Sequence, residues 1–161
     1  QKNRILAMFD LEADLLGVGY QQWRGRVALA NGGIFGQGLF NGHLTQNGNV
    51  PESYNDFIFV VIGEELGLIG AIVILLIFAL LVWRGVVISL RAKDRFGKLL
   101  GIGLTTQIGL QVILNILVIT DWLPNTGISL PFFSYGGSSL LMLLFQMGII
   151  LSISRFSNQK K

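Results

Sequence analysis

Three groups of side chains in this 161-residue sequence have the types and spacing to do chemistry. The first is a carboxylate at a boundary. Asp56 stands just before a long apolar run, with Glu64 and Glu65 further inside it. An ionisable residue entering a membrane segment costs about 2.5–3.5 kcal/mol on insertion scales, which makes it a functional candidate. Asp is equally a standard helix N-cap, a task that Ser53 and Asn55 could share, and spacing alone leaves both readings open. The second group is Arg24 and Arg26, set beside Trp23. This is the composition of an interfacial anchor. The third is Gln107, Gln111 and Asn115, whose spacing of four draws one polar stripe along one helix face. Such a stripe either bonds to neighbouring segments, worth about 0.6–2 kcal/mol per bond, or lines a polar cavity.

Other chemistries are excluded. There is no cysteine, so neither a disulfide framework nor thiol or Cys-zinc chemistry is available. His43 is the only histidine and reads as a loop residue, so no metal ligand is assigned. Gly32, Gly33, Gly36, Gly38 and Gly42 mark a tight loop. They are not a phosphate-binding fingerprint, since no strand precedes them and no Gly-Lys-Ser/Thr follows.

The elements that must position these groups are membrane helices. The chain is 52% hydrophobic and 13% charged, with a mean hydropathy of +0.62. That charge fraction is about half the soluble norm of about 25%. The expected fold is an all-α integral membrane protein. A long extracytoplasmic loop with short interfacial helices, residues 1–55, precedes three transmembrane helices at about 57–83, 99–120 and 135–153. Gly63, Gly67 and Gly70 offer a side for close helix approach. On an ideal helix Asp56 and Glu65 face opposite ways, so they share a cavity only if the helix breaks, and Gly63 is the candidate break.

The net charge of +3 is clustered, so it reports topology rather than nucleic-acid binding. Arg84 to Lys98 carries five basic residues against Asp94 and reads as cytoplasmic, as does the tail with Arg155, Lys160 and Lys161. Asp121–Ser134 then lies outside. Lys2, Arg4, Arg24 and Arg26 also fall outside, in a long segment that weighs less in the rule. The chain opens Gln-Lys-Asn-Arg with no initiator Met or signal peptide, and is expected to be a piece of a longer membrane protein.

Leu123-Pro-Asn-Thr-Gly-Ile-Ser-Leu-Pro-Phe-Phe-Ser-Tyr-Gly-Gly-Ser-Ser139 resembles the signature of the SEDS family, the FtsW, RodA and SpoVE proteins of bacterial growth, division and sporulation. Asp56-Phe-Ile-Phe with Gly63-Glu-Glu-Leu-Gly67 resembles a second family block. Glu12-Ala-Asp14, Gly19-Tyr-Gln21 and Gly32-Gly-Ile-Phe-Gly-Gln-Gly38 resemble a third. Asp121-Trp122 and Asn125 depart from the family's usual residues.

The resemblance implies the C-terminal portion of a larger polytopic bundle in the bacterial cytoplasmic membrane. It implies a peptidoglycan glycosyltransferase that polymerises lipid II at the outer face in elongation, division or sporulation, alongside a class B penicillin-binding protein. Its essential outer-loop aspartate corresponds to Asp56, which becomes the catalytic candidate. Gln21, Arg24, Arg26, Glu64, Thr126 and Ser134 are the substrate-binding candidates. A hydroxyl of one sugar attacks the anomeric carbon of another, and a lipid diphosphate leaves. The departing diphosphate needs positive charge, from Arg24 and Arg26 or from a divalent cation, Mg or Mn, the one cofactor candidate. The partners implied are lipid II, the penicillin-binding protein and membrane lipids, with no nucleic acid. The lipid-facing sides of the first two spans, with the outer loop, are expected to receive the partner's single helix and its pedestal, and the Pro131–Gly137 turn to brace the floor near Asp56. Because further helices would complete the site, this piece alone is expected to be inactive. The rival readings are a lipid II flippase or transporter, in which the polar stripe and buried acids form a passage, and a non-catalytic scaffold for the penicillin-binding protein.

Overall fold

The computed structural model describes residues 18–42, 56–124, 126–134 and 136–158, with side chains undescribed at 18–22 and 157–158. Lys2, Arg4, Glu12, Asp14, His43, Ser53, Asn55, Asn125, Tyr135, Lys160, Lys161 and the side chain of Gln21 lie outside the described residues. The secondary structure described is helical: α1 (Val18–Gly32), α2 (Ile58–Leu90), α3 (Arg95–Ile119) and α4 (Gly137–Asn158). Helices α2, α3 and α4 are each long and apolar enough to cross a membrane.

At 33 residues α2 would run about 50 Å, well beyond a hydrocarbon core of about 30 Å. It is not continuous. Gly67 has φ 68° and ψ −169°, a conformation only glycine adopts cheaply. The glycine-rich loop after α1 fills the break. Gln37 and Gly38 donate their N–H groups to the carbonyls of Glu64 and Glu65, and Leu68 and Ile69 donate back to Gly33 and Ile34. These four bonds satisfy backbone groups on both sides, which irregular backbone near lipid requires. The break therefore falls at Gly67 rather than at Gly63, because that is where the loop backbone enters; a β-carbon on Gly67 would collide with Ile34 and Gly36. Gly63 serves instead as the seat of the Leu29 side chain from α1.

Below the break α2 continues past Arg84 to Leu90, since a long basic side chain can reach the interface while its stem stays in lipid. Asp94 caps α3 by accepting the Gly97 N–H at 2.5 Å, so α3 starts at Arg95, earlier than expected. Helix α4 starts at Gly137 and runs to Asn158. The α2–α3 contact is made by small residues further down than Gly63, Gly67 and Gly70. Gly85 meets Thr105, and Ser89 meets Gly101. Ser89 and Thr105 turn their hydroxyls back onto the carbonyls of Gly85 and Gly101 at 2.7 and 2.8 Å, which hides the polar atoms and lets the backbones approach. Gly101 also lies near Ile153, so Arg155 stands at the same end as Arg84, Arg91, Lys93, Arg95 and Lys98. One positive end to a bundle of apolar helices is the pattern of a multi-pass membrane protein with that end in the cytoplasm.

The buried core sits toward the opposite end. Phe57, Phe59, Val60 and Ile62 of the upper α2 pack with Ala28, Val112, Ile119 and Leu130, and reach down to Ala71 and Phe78. Much of the lower α2, including Leu76, Ile77, Leu80 and Trp83, stays exposed.

Candidate functional site

Asp56 lies two residues before α2 begins. The N-cap position is Phe57, in a non-helical conformation, and its side chain makes no capping hydrogen bond. Phe57 is fully buried and locks the residue beside Asp56 into the core. Gly25 of α1 packs on the Phe57 ring; a β-carbon there would stand 3.2 Å from it.

The signature loop closes on Asp56 from the other side. Gly127 has φ 71°, and a β-carbon on it would stand 3.5 Å from Asp56 Oδ2. The loop then dips alongside α3 rather than staying on the outer surface. Gln111 donates to the Ser129 carbonyl at 3.0 Å, and Gln111 lies eight residues below Ile119, about 12 Å of helix. Leu130 and Pro131 are buried, and Phe133 meets Phe78 of α2 with ring centroids 6.0 Å apart. The Pro131–Phe133 turn thus packs under the loop that carries Gly127.

Asn115 joins the two segments. Its Nδ2 donates to the Asp56 carbonyl at 2.9 Å and to the Ile128 carbonyl at 2.7 Å. Of the amide stripe, Gln107 meets Gln146 of α4 at 3.4 Å. The stripe is thus spent on interactions with loop backbone and a neighbouring helix. The sequence held this feature as a four-residue period but did not reveal its partners.

The other candidates are dispersed. Arg24 is half-buried, with its guanidinium 5.4 Å from the Trp23 ring centroid, and Arg26 forms an ion pair with Asp121 just beyond α3. They flank Gly25, and so the contact with Phe57. Glu64 is fully buried: Gly32 packs against its backbone and its carbonyl accepts from Gln37. That sets it within the α1–α2 packing, away from open surface. Thr126 is exposed next to Gly127, while Ser134 is half-buried, with its N–H on the Leu130 carbonyl. Among the described residues no group of three His, Asp or Glu side chains could hold a metal ion, so these donors do not fit a cation held by protein alone. The geometry brings together a carboxylate at the bundle mouth and the Gly127 backbone beside it, while the two arginines stand on the helix that packs against Phe57.

The sequence pattern of the FtsW, RodA and SpoVE family of cell cycle proteins matches residues 1–159. A probable peptidoglycan glycosyltransferase FtsW from Geobacter metallireducens is 47% identical over 96% of this chain and 41% of its own length. Stage V sporulation protein E of Bacillus subtilis is 44% identical over 96% of this chain and 42% of its own. The peptidoglycan glycosyltransferase MrdB of Escherichia coli is 39% identical over 95% and 41%. A solved chain of a peptidoglycan synthase complex, described as coordinating polymerization and crosslinking, superposes with a TM-score of 0.74 at 30% identity, covering 99% of this chain and 43% of that one. The chain spans about two-fifths of the length of the relatives it matches.

Proposed function

The chain belongs to the FtsW, RodA and SpoVE family of cell cycle proteins, and from that premise we propose that the full-length protein polymerises lipid II into glycan strands at the outer face of the cytoplasmic membrane. The observation that carries this reading is the Asp56 carboxylate at the mouth of α2, beside Gly127 of the signature loop. Asp56 takes the proton from the attacking sugar hydroxyl as general base. The oxygen so activated bonds to the anomeric carbon of the second sugar, the bond from that carbon to the diphosphate oxygen breaks, and the lipid diphosphate leaves with the electron pair. Arg24, on the helix packed beside Phe57, supplies positive charge toward the departing diphosphate. Arg26 is engaged with Asp121 and contributes chiefly to holding α1 in place. Thr126, beside Gly127, is placed to bond sugar or phosphate oxygens. A divalent cation brought on the diphosphate would add positive charge there; the described donors do not build a site for it and no step depends on it.

A class B penicillin-binding protein is the proposed partner, docked on the exposed apolar face of the lower α2. The support is that the solved neighbour is a chain of a peptidoglycan synthase complex. Crosslinkers placed at Ile72, Leu76 and Leu80 should capture it, and capture from α4 alone would reject this docking face. The flippase reading drew on the polar stripe together with the buried acids; of the stripe, Gln111 and Asn115 are bonded to loop backbone. Lipid II polymerisation by full-length wild type against Asp56→Asn, with lipid movement measured in parallel, tests the enzyme reading. A flippase would keep its activity in that variant.

A further inference from the structure

We propose that Asn115 is a positioning residue for Asp56, an inference that rests on reading Asp56 as the base. Asn115 is 1% exposed in the middle of the α3 face that also buries Val112 and Ile119. An amide in such a place is costly unless it is bonded. Its Nδ2 divides its two hydrogens between the carbonyls of Asp56 and Ile128, whereas its Oδ1 has no hydrogen-bond partner among the described residues. Both acceptors are carbonyls, so the orientation of the amide is determined by what it holds.

The two carbonyls belong to the two segments that meet at the carboxylate. One is Asp56 itself. The other is Ile128, next to Gly127, whose open space faces Asp56 Oδ2. Asp56 precedes the regular part of α2. Asn115 holds its carbonyl, and with the same group sets the height of the Gly127 backbone relative to the carboxylate. Losing this bracket would let the two segments slide independently. A displacement of about 1 Å at a catalytic group can cost about 10²-fold in rate.

Gln111 provides the control. One turn below Asn115 on α3, it braces the same loop, its hydrogen-bond partner being the Ser129 carbonyl rather than Asp56. A purely structural role for these amides predicts similar effects from both. A positioning role predicts a difference.

The test is steady-state lipid II polymerisation by full-length Asn115→Ala, Asn115→Ser and Gln111→Ala proteins, with thermal unfolding of each followed in detergent. We expect Asn115→Ala to lower kcat by about 10²-fold with little change in KM, the pattern of a defect confined to the transition state. Asn115→Ser, which keeps one donor, should fall between that variant and wild type. Gln111→Ala should turn over normally even where it melts at a lower temperature. If Asn115→Ala fails to fold, Asn115→Ser decides by the same kcat criterion. Wild-type kcat in the folded Asn115 variants, a defect in KM alone, or an equal loss of kcat in Gln111→Ala would overturn the proposal. Asp56→Asn separates the two layers. Near-normal polymerisation by it removes the base reading, whereas an inactive Asp56→Asn beside active Asn115 variants removes only the positioning role.

Discussion

Arg26 on α1 and Asp121 just beyond the end of α3 form an ion pair that ties the outer helix to the bundle. The Asp121 side chain is 4% exposed and its backbone sits at φ 60°, while the Arg26 side chain is 52% exposed. Removing the arginine strands a buried carboxylate. Arg26→Ala should therefore cost about 1–3 kcal/mol, read as a lower melting temperature in detergent. Asp121→Gly in the same background should recover most of the loss, because it removes both the stranded charge and the left-handed strain. Failure of the second change to recover stability would mean that the pair is not what Arg26 contributes.

Gly67 makes the second prediction. An Ala there meets a backbone angle costing about 1–3 kcal/mol and collides with the inserted loop at Ile34 and Gly36. Gly67→Ala should lose most monodisperse protein on size-exclusion chromatography. Gly103→Ala and Gly148→Ala, where an added β-carbon meets nothing within 4 Å, should behave as wild type. Equal yields for all three would contradict the interrupted helix.

Orientation gives a third. Trp122 is 72% exposed at the loop end and Lys93 is exposed at the basic end. In intact spheroplasts a membrane-impermeant maleimide should label Trp122→Cys, and Lys93→Cys only after permeabilisation. The reverse pattern would invert the bundle and remove Asp56 from the outer face.

The three spans were legible because their apolar runs are long and a mainly basic segment separates the first two. Asp56 was legible as a boundary carboxylate, and the family block around it then favoured catalysis over capping. What could not be read was tertiary. Gly67 as the break depends on a loop arriving from residues 33–38, which no local pattern encodes. The period of Gln107, Gln111 and Asn115 was visible, yet their partners are carbonyls of a dipping loop that reads by composition as an outer connection. Asp121 looked like a departure from the family, and its explanation is Arg26, 95 positions earlier in the sequence.

The most direct measurement is lipid II polymerisation by full-length Asp56→Asn against wild type at equal folded concentration. Asn matches Asp in size and ranks beside it as a helix cap, so stability should change by no more than a few tenths of a kcal/mol. Asn cannot accept the proton, and the glycan product should fall by about 10²–10⁴-fold. Near-normal strand synthesis by a well-folded Asp56→Asn protein would contradict the assignment of Asp56 as the base.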